Sequence, residues 1–275
     1  MALLAQHTAA ASTKMLLLGD SGSGKTGALV SLVKAGYNLR IVDFDNGLDV
    51  LSDLLTPEEQ TKVSFVTCTD EIKTLPNGVQ VMQKPGWGTA MTALSNWPDG
   101  LGDPNKWGDK DVLVIDSLTL ASKMAMNYVL HLNGRFGNIQ VKPFQSDWGQ
   151  AMQLIENLLG MLYSTGLKCN VIVISHIVAE TNEEGNATGR YFPSAIGAKL
   201  PPKIGRYFNS MLRVQTIGQG IHAKRVIKTV SDGQIELKNS APTKVPAQLP
   251  QATGLAEFFA LVRGAGNSAS PQQTK

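Results

Sequence analysis

Lys14-Met15-Leu16-Leu17-Leu18-Gly19-Asp20-Ser21-Gly22-Ser23-Gly24-Lys25-Thr26 is the stretch that decides the fold. Its second part matches G-x-x-x-x-G-K-[ST], a loop that cradles nucleotide phosphates. A short apolar run precedes it and a helix-like segment, residues 27–35, follows. That strand–loop–helix setting separates such a loop from a chance Gly/Ser linker. Glycine lets the backbone turn so that successive N–H groups face inward at anionic oxygens. The N-terminus of the next helix adds partial positive charge at the same place. Gly19, Asp20, Ser21, Gly22, Ser23, Gly24, Lys25, Thr26 and Gly27 are therefore the candidate ATP-binding residues. Lys25 is placed to reach the β- and γ-phosphates, and Thr26 to put its hydroxyl on Mg²⁺.

Composition sets the frame around this loop. The 275 residues are 43% hydrophobic and 17% charged, which suits a soluble globular chain of one large or two small domains. No apolar run approaches the roughly 20 residues that span a bilayer, so no membrane is expected. Residues 1–13 lack a basic leader and read as a short extension or docking arm. Only Cys68 and Cys169 are present, without metal-type spacing; they read as buried free thiols in a reducing cytoplasm. The net charge of +3 is modest, but residues 199–244 carry nine basic side chains against two acidic ones. Such a cluster is either a footprint for a polyanion or a solvated face.

Strand and helix signals alternate, which predicts an α/β fold with a mainly parallel sheet. Strands are expected at 14–18, 39–43, 63–66, 112–116 and 170–175, each a continuous apolar run, as when both faces are covered. Helical stripes run through Leu118, Ala121, Met124, Tyr128 and Leu132, and through Trp148, Met152, Ile155, Leu158, Leu159 and Leu162. Beyond the parallel strands, 211–216, 222–230 and 234–237 read as an antiparallel extension with turns at Gly218-Gln219-Gly220 and Asp232-Gly233. Leu255, Phe258, Phe259 and Val262 mark a last helix. The expected division is an extension (1–13), an ATPase core (14–250), a C-terminal helix (251–263) and a disordered tail (264–275). Three segments read as long loops: 76–110 with Trp87, Trp97 and Trp107 and a short helix at 89–96, then 133–147, then 178–199.

A phosphate loop needs a carboxylate for its Mg²⁺ at the end of a neighbouring strand. Val112-Leu113-Val114-Ile115-Asp116 has that form, because ligands of open α/β sheets bind at the carboxyl ends of strands. A helix N-cap is the competing role for Asp116. Two strands separate the glycine loop from Asp116, an order suited to ATPases with an extra strand between the two. Such enzymes use a separate acid to activate water and a polar residue to sense the γ-phosphate. Ile41-Val42-Asp43-Phe44-Asp45 and Val171-Ile172-Val173-Ile174-Ser175-His176 supply candidates for both.

In this order the residues resemble the RecA-type recombinases, most closely the small RecA-like ATPases of bacteriophages that pair with single-strand annealing systems. The resemblance covers about residues 14–250. It puts Asp45 at the position of the family's catalytic Glu, one methylene short, and His176 at that of the γ-phosphate-sensing Gln. Leu237-Lys238-Asn239-Ser240 resembles the Lys-x-Lys segment that reaches a neighbouring subunit's ATP, with Lys238 as its first lysine and Ser240 replacing the second. The catalytic set so implied is Lys25, Asp45, Asp116, His176 and Lys238, with metal at Thr26 and Asp116. The resemblance also implies two DNA-binding loops. They carry Arg135, Phe136, Lys142, Phe144, Arg190, Tyr191, Phe192 and Lys199, cations for phosphates and aromatic faces for bases. The expected protein is a DNA-stimulated, ATP- and Mg²⁺-dependent ATPase that binds single-stranded DNA in phage recombination, annealing or repair. It would act as a homo-oligomeric ring or filament with ATP at subunit interfaces, in the host cytoplasm, alongside a single-strand annealing or single-strand-binding protein. The rivals are a helicase-like translocating motor and a slow ATP-dependent switch or loader.

Overall fold

The computed structural model describes residues 12–138 and 142–264. Residues 1–11 of the expected arm and the tail beyond residue 264 lie outside the described residues. In chain order, β1 (Lys14–Leu18) leads through the glycine loop into α1 (Lys25–Ala28) and α2 (Val30–Lys34). Leu29 between these helices keeps φ −61° and ψ −26°, so the pair runs on as the one helix expected. Then come β2 (Asn38–Asp43), α3 (Asp49–Leu54), α4 (Pro57–Gln60), β3 (Val63–Thr67), β4 (Glu71–Thr74), β5 (Gln80–Lys84) and α5 (Gly86–Ser95). The middle of the chain holds β6 (Asp111–Asp116), α6 (Leu118–Leu132), α7 (Gln145–Tyr163) and β7 (Asn170–Ser175). The last third holds β8 (Ile177–Thr181), β9 (Ala187–Pro193), β10 (Ser210–Ile217), β11 (Lys224–Lys228), β12 (Gln248–Pro250) and α8 (Gly254–Arg263).

Eight strands form the main sheet in the order β12-β11-β10-β1-β7-β6-β2-β3. From β10 to β3 all pairings are parallel, while β11 and β12 add antiparallel at one edge. β7 separates β1 from β6, the extra strand that the sequence predicts, and the whole is an α/β core with a mainly parallel sheet and an antiparallel edge. Alternate residues of the central strands enter opposite cores, as a period of two requires. Leu16, Leu18, Leu113, Ile115, Val171 and Val173 pack under α5, α6 and α7. Met15, Leu17, Val112, Val114, Ile172 and Ile174 pack under α1, α2, α3 and α8. Covering on both sides explains why these strands read as unbroken apolar runs. Parallel register then sets the site: Leu18 lies opposite Ser175 and Asp43 opposite Asp116, so three carboxyl ends converge beside the glycine loop.

Four expectations need correction. Residues 211–216 belong to β10, which lies parallel to β1 as a further parallel strand and only then turns back into β11. Residues 234–237 form no strand. Leu249 of β12 takes the edge of β11 instead, while Ile235 and Leu237 are buried in the core beside a single bridge from Lys238 to Met211. The segment 76–110 is not one long loop: the short helix expected at 89–96 is present as the ten-residue α5, β5 precedes it, and its tryptophans are core. Trp97 is 1% exposed, meets Trp107 edge-on at 5.4 Å and donates its indole N–H to Ser64 Oγ at 2.9 Å. Gly, Pro and Asp around these rings hid a layer that only tertiary packing defines. Residues 178–199 likewise hold a two-stranded hairpin, β8 with β9, rather than an open loop.

The helical stripes also shift. α6 buries Leu118, Ala121, Ser122, Ala125, Met126 and Val129, while Leu132 is exposed and Met124 and Tyr128 are half-buried. Small residues let this helix press against both the sheet and α7, a contact that a count of large apolar side chains misses. On α7 the expected stripe holds from Ile155 to Leu162, but Trp148 is exposed.

Candidate active site

The glycine loop closes on itself before any ligand is considered. Gly24 stands at φ 95°, a conformation that favours glycine, and a Cβ on Gly19 would fall 2.5 Å from the Val214 carbonyl oxygen. The loop therefore lies tight against β10, and the Ser23 N–H closes it on the Asp20 carbonyl at 3.2 Å. Ser23 Oγ is buried there without a hydrogen-bond partner, a donor left over for an anion.

Thr26 donates its hydroxyl to Asp116 Oδ2 at 2.8 Å, so the ends of β1 and β6 meet as the motif requires. Lys25, only 7% exposed, folds back and donates to the carbonyls of Gly19 and Asp20 at 3.1 and 2.8 Å. Its Nζ also lies 3.4 Å from His176 Nδ1. An ammonium can only donate, so Nδ1 accepts and the imidazole proton sits on Nε2, which faces Asp45 Oδ2 at 3.8 Å. Burial and the neighbouring Lys25 charge pull the His176 pKa below its ordinary value against the pull of Asp45, so the ring is neutral at pH 7. Asp45 Oδ1 accepts from the backbone N–H and the hydroxyl of Ser117 at 3.0 and 2.8 Å. The Asp116–Ser117 peptide is cis. Asp43 stands behind Asp45 and accepts its backbone N–H at 3.2 Å.

Three carboxylates thus share one corner, Asp43 and Asp116 buried and Asp45 half-buried. Burial first, and then Asp45 and Asp43, push Asp116 up to about 7 even though the Thr26 hydrogen bond and Lys25 pull it down. Burial raises Asp43 as well and lowers Lys25, the latter offset by Asp116, Asp45 and Asp20. Among the described residues no three His, Cys, Asp or Glu side chains gather as a metal cage. The donors that do gather, a threonine hydroxyl and a carboxylate beside a phosphate cradle, fit Mg²⁺, which keeps few protein ligands and shares phosphate oxygens. When bound, Mg²⁺ supplies positive charge at the phosphates. For its own part the chain holds Lys25 as a cation, Asp45 as an acceptor fixed by Ser117, and His176 as a neutral donor. All three open on one cleft of about 290 Å³.

Lys238 does not enter this cleft; its backbone pairs with Met211 and its side chain is exposed. The other candidates form two separate groups. Arg135 is engaged by Asp147, a fully buried carboxylate whose pKa that guanidinium lowers, and stacks over Phe144 at 4.6 Å. Phe136 is half-buried and Lys142 exposed. On the hairpin, Arg190 lies 5.7 Å above Phe192 and 3.4 Å from Glu236, while Tyr191 packs against the core beneath Arg213. Lys199 is exposed at its foot. Part of the basic stretch is neutralised: Arg213 faces Asp20 and Asp232, each at 3.7 Å, and Arg206 faces Glu156. Sequence reasoning missed Ser117, Arg225 and Gln251 at the site. Ser117 adjoins Asp116 and could have been read as its companion, but nothing local marks the other two.

A family model described as an AAA domain matches residues 11–241. No curated protein matches the chain. Solved structures that resemble it include the RadB recombinase, at 14% identity and TM-score 0.41 over 78% of this chain and 79% of that one. Another is a KaiC-like protein from Pyrococcus horikoshii OT3, at 12% identity and TM-score 0.42 over 78% of each chain. A third is the flagellar accessory protein FlaH from Methanocaldococcus jannaschii, at 10% identity and TM-score 0.41 over 88% and 87%.

Proposed function

We propose that this chain, which belongs to the AAA domain family, is an Mg²⁺-dependent ATPase that works on single-stranded DNA. The observation that carries the reading is the 2.8 Å contact of Thr26 with Asp116 in the cleft that also holds Lys25. Lys25 offsets charge that develops on the transferred phosphoryl group. Asp45 orients the attacking water, and His176 senses the γ-phosphate. His176 directly precedes β8, and its carbonyl accepts from Ser194 just past β9 at 2.7 Å, so a movement of its ring reaches both ends of the hairpin. That link supports coupling between hydrolysis and DNA affinity.

The DNA reading rests on cation–aromatic pairs in the two loop segments, Arg135 with Phe144 and Arg190 with Phe192, together with Lys142 and Lys199. Cations track phosphates and aromatic faces stack bases. Assembly would be head-to-tail, with the exposed Lys238 of one protomer reaching the ATP of the next, in a ring or filament. Recombination, annealing or repair in a phage-infected cell, beside an annealing or single-strand-binding protein, is the setting this reading favours. A second reading, a slow ATP-dependent switch, is favoured by the engagement of Asp45 with Ser117 and its short side chain.

ATP turnover with and without single-stranded DNA separates the readings. DNA-stimulated hydrolysis, with DNA binding that weakens steeply with salt through counterion release, supports the first. Tight ATP binding without turnover supports the second, and no nucleotide binding overturns both.

A further inference from the structure

The phosphate loop is touched from the far end of the chain. β11 brings Arg225 to it, with Nη2 3.4 Å from the Gly22 carbonyl oxygen. A Cβ on Gly24 would come within 3.0 Å of Arg225 Cδ, so the arginine stem lies directly on the loop. Just past β12, Gln251 donates from Nε2 to the Gly24 carbonyl at 2.9 Å and from its backbone N–H to the Arg225 carbonyl at 3.2 Å. Arg225 also lines the cleft that holds Lys25, Asp116 and His176.

The other arginines are engaged. The chain has seven. Arg40, Arg135, Arg190, Arg206 and Arg213 each face at least one carboxylate. Arg263 is held by the Tyr37 hydroxyl, the Asp109 carbonyl and the Asn170 side-chain oxygen. Arg225 makes no ion pair among the described residues, and its contact with Gly22 is long. A guanidinium keeps its charge at any physiological pH and offers five donors in a rigid fork that matches phosphate oxygens. Here that fork waits at the rim of an anion-binding loop.

We propose that Arg225 binds the phosphate chain of the nucleotide in cis, as a second cation beside Lys25. The proposal rests on the nucleotide reading above and deepens it by giving the edge of the sheet a part in ligand binding. Arg225 stands over Gly22 and Gly24 and its guanidinium contacts the loop rather than the carboxylates, so the contact serves ADP and ATP alike.

The test is calorimetric titration of ADP and ATP into the wild type and the Arg225→Ala, Arg225→Lys and Lys25→Ala variants, with adenosine as a competitor and thermal melts to confirm folding. Arg225→Ala is expected to weaken both nucleotides roughly ten- to a hundredfold, the range of one lost charge-assisted contact. Arg225→Lys should fall between, because lysine restores the charge but not the fork. Adenosine should compete equally against all. Unchanged ADP and ATP affinity in Arg225→Ala overturns the proposal, as does an equal loss for adenosine, which would put the side chain on the base or sugar. If Arg225→Ala melts early, Arg225→Lys decides alone, with wild-type adenosine binding and weakened ADP required. A wild type that binds no better than Lys25→Ala sinks the nucleotide reading itself, whereas binding lost only in Lys25→Ala sinks Arg225 alone.

Discussion

Asp116 is 4% exposed, shares its corner with Asp43 and Asp45, and holds its proton up to about pH 7. In the unfolded chain it would release that proton near pH 4. The folded state therefore binds the proton more tightly, and the resulting stability is fully present below pH 4 and lost as pH rises through 7. Asp43 shifts in the same direction. At roughly 1.4 kcal/mol per pH unit the contribution is on the order of 4 kcal/mol. Urea unfolding of the nucleotide-free protein in chelator, at pH 5 and pH 8, should show a wild type weakened at the higher pH relative to Asp116→Asn; parallel curves would show that the carboxylate is ionised throughout. Asp45 offers a second test at this scale. Its oxygen is held by Ser117, and on the proposed reading it is the acid that orients water, one methylene shorter than a glutamate. Asp45→Glu should raise turnover roughly tenfold, a fraction of the roughly hundred- to ten-thousandfold that a well-placed general base supplies, with ATP affinity little changed. A slower enzyme would remove Asp45 from the role of base.

At the scale of elements, the layer under β2 and β3 carries the clearest stability prediction. Trp97 fills the space between α5 and the sheet and anchors itself on Ser64. Trp97→Ala should cost roughly 3–5 kcal/mol, the usual cost of emptying a large aromatic site, read as a lower urea midpoint with an unchanged slope. A loss under about 1 kcal/mol would place the ring at the surface. This layer was also the least legible from sequence, and the contrast with the site is physical. The P-loop and the strands that lead to Asp116, Asp45 and His176 announce themselves through local rules: a glycine pattern that backbone geometry demands, and apolar runs that two-sided burial demands. Thr26 and Asp116 could be paired before any coordinates because parallel strands deliver their ends to one edge. Trp97 and Trp107 carry no such rule, since a ring among Gly, Pro and Asp becomes core only when a distant strand covers it. Arg225 and Gln251 were hidden for the same reason. They reach Gly22 and Gly24 across about two hundred residues of chain, through the register of an edge strand that no turn signal fixes.

At the scale of the whole molecule, the cleft holds a phosphate cradle, an acid and a neutral imidazole, while Lys238 points elsewhere with its backbone tied to β10. If ATP lies between protomers, a further cation comes from a neighbour, and each interface joins one chain's P-loop to another chain's Lys238. Two variants make this separable. Lys25→Ala ruins its own P-loop but still offers Lys238, and Lys238→Ala does the reverse. Each alone should hydrolyse ATP poorly. Mixed in equal amounts, random head-to-tail assembly rebuilds about a quarter of the interfaces with both lysines intact, so activity should recover to roughly a quarter of the wild type's. Recovery must also fail on dilution below the assembly concentration, because the repaired site exists only between chains. A mixture no more active than the two variants measured apart would mean that Lys238 does not act across an interface, and that the cations serving the nucleotide are those of its own protomer.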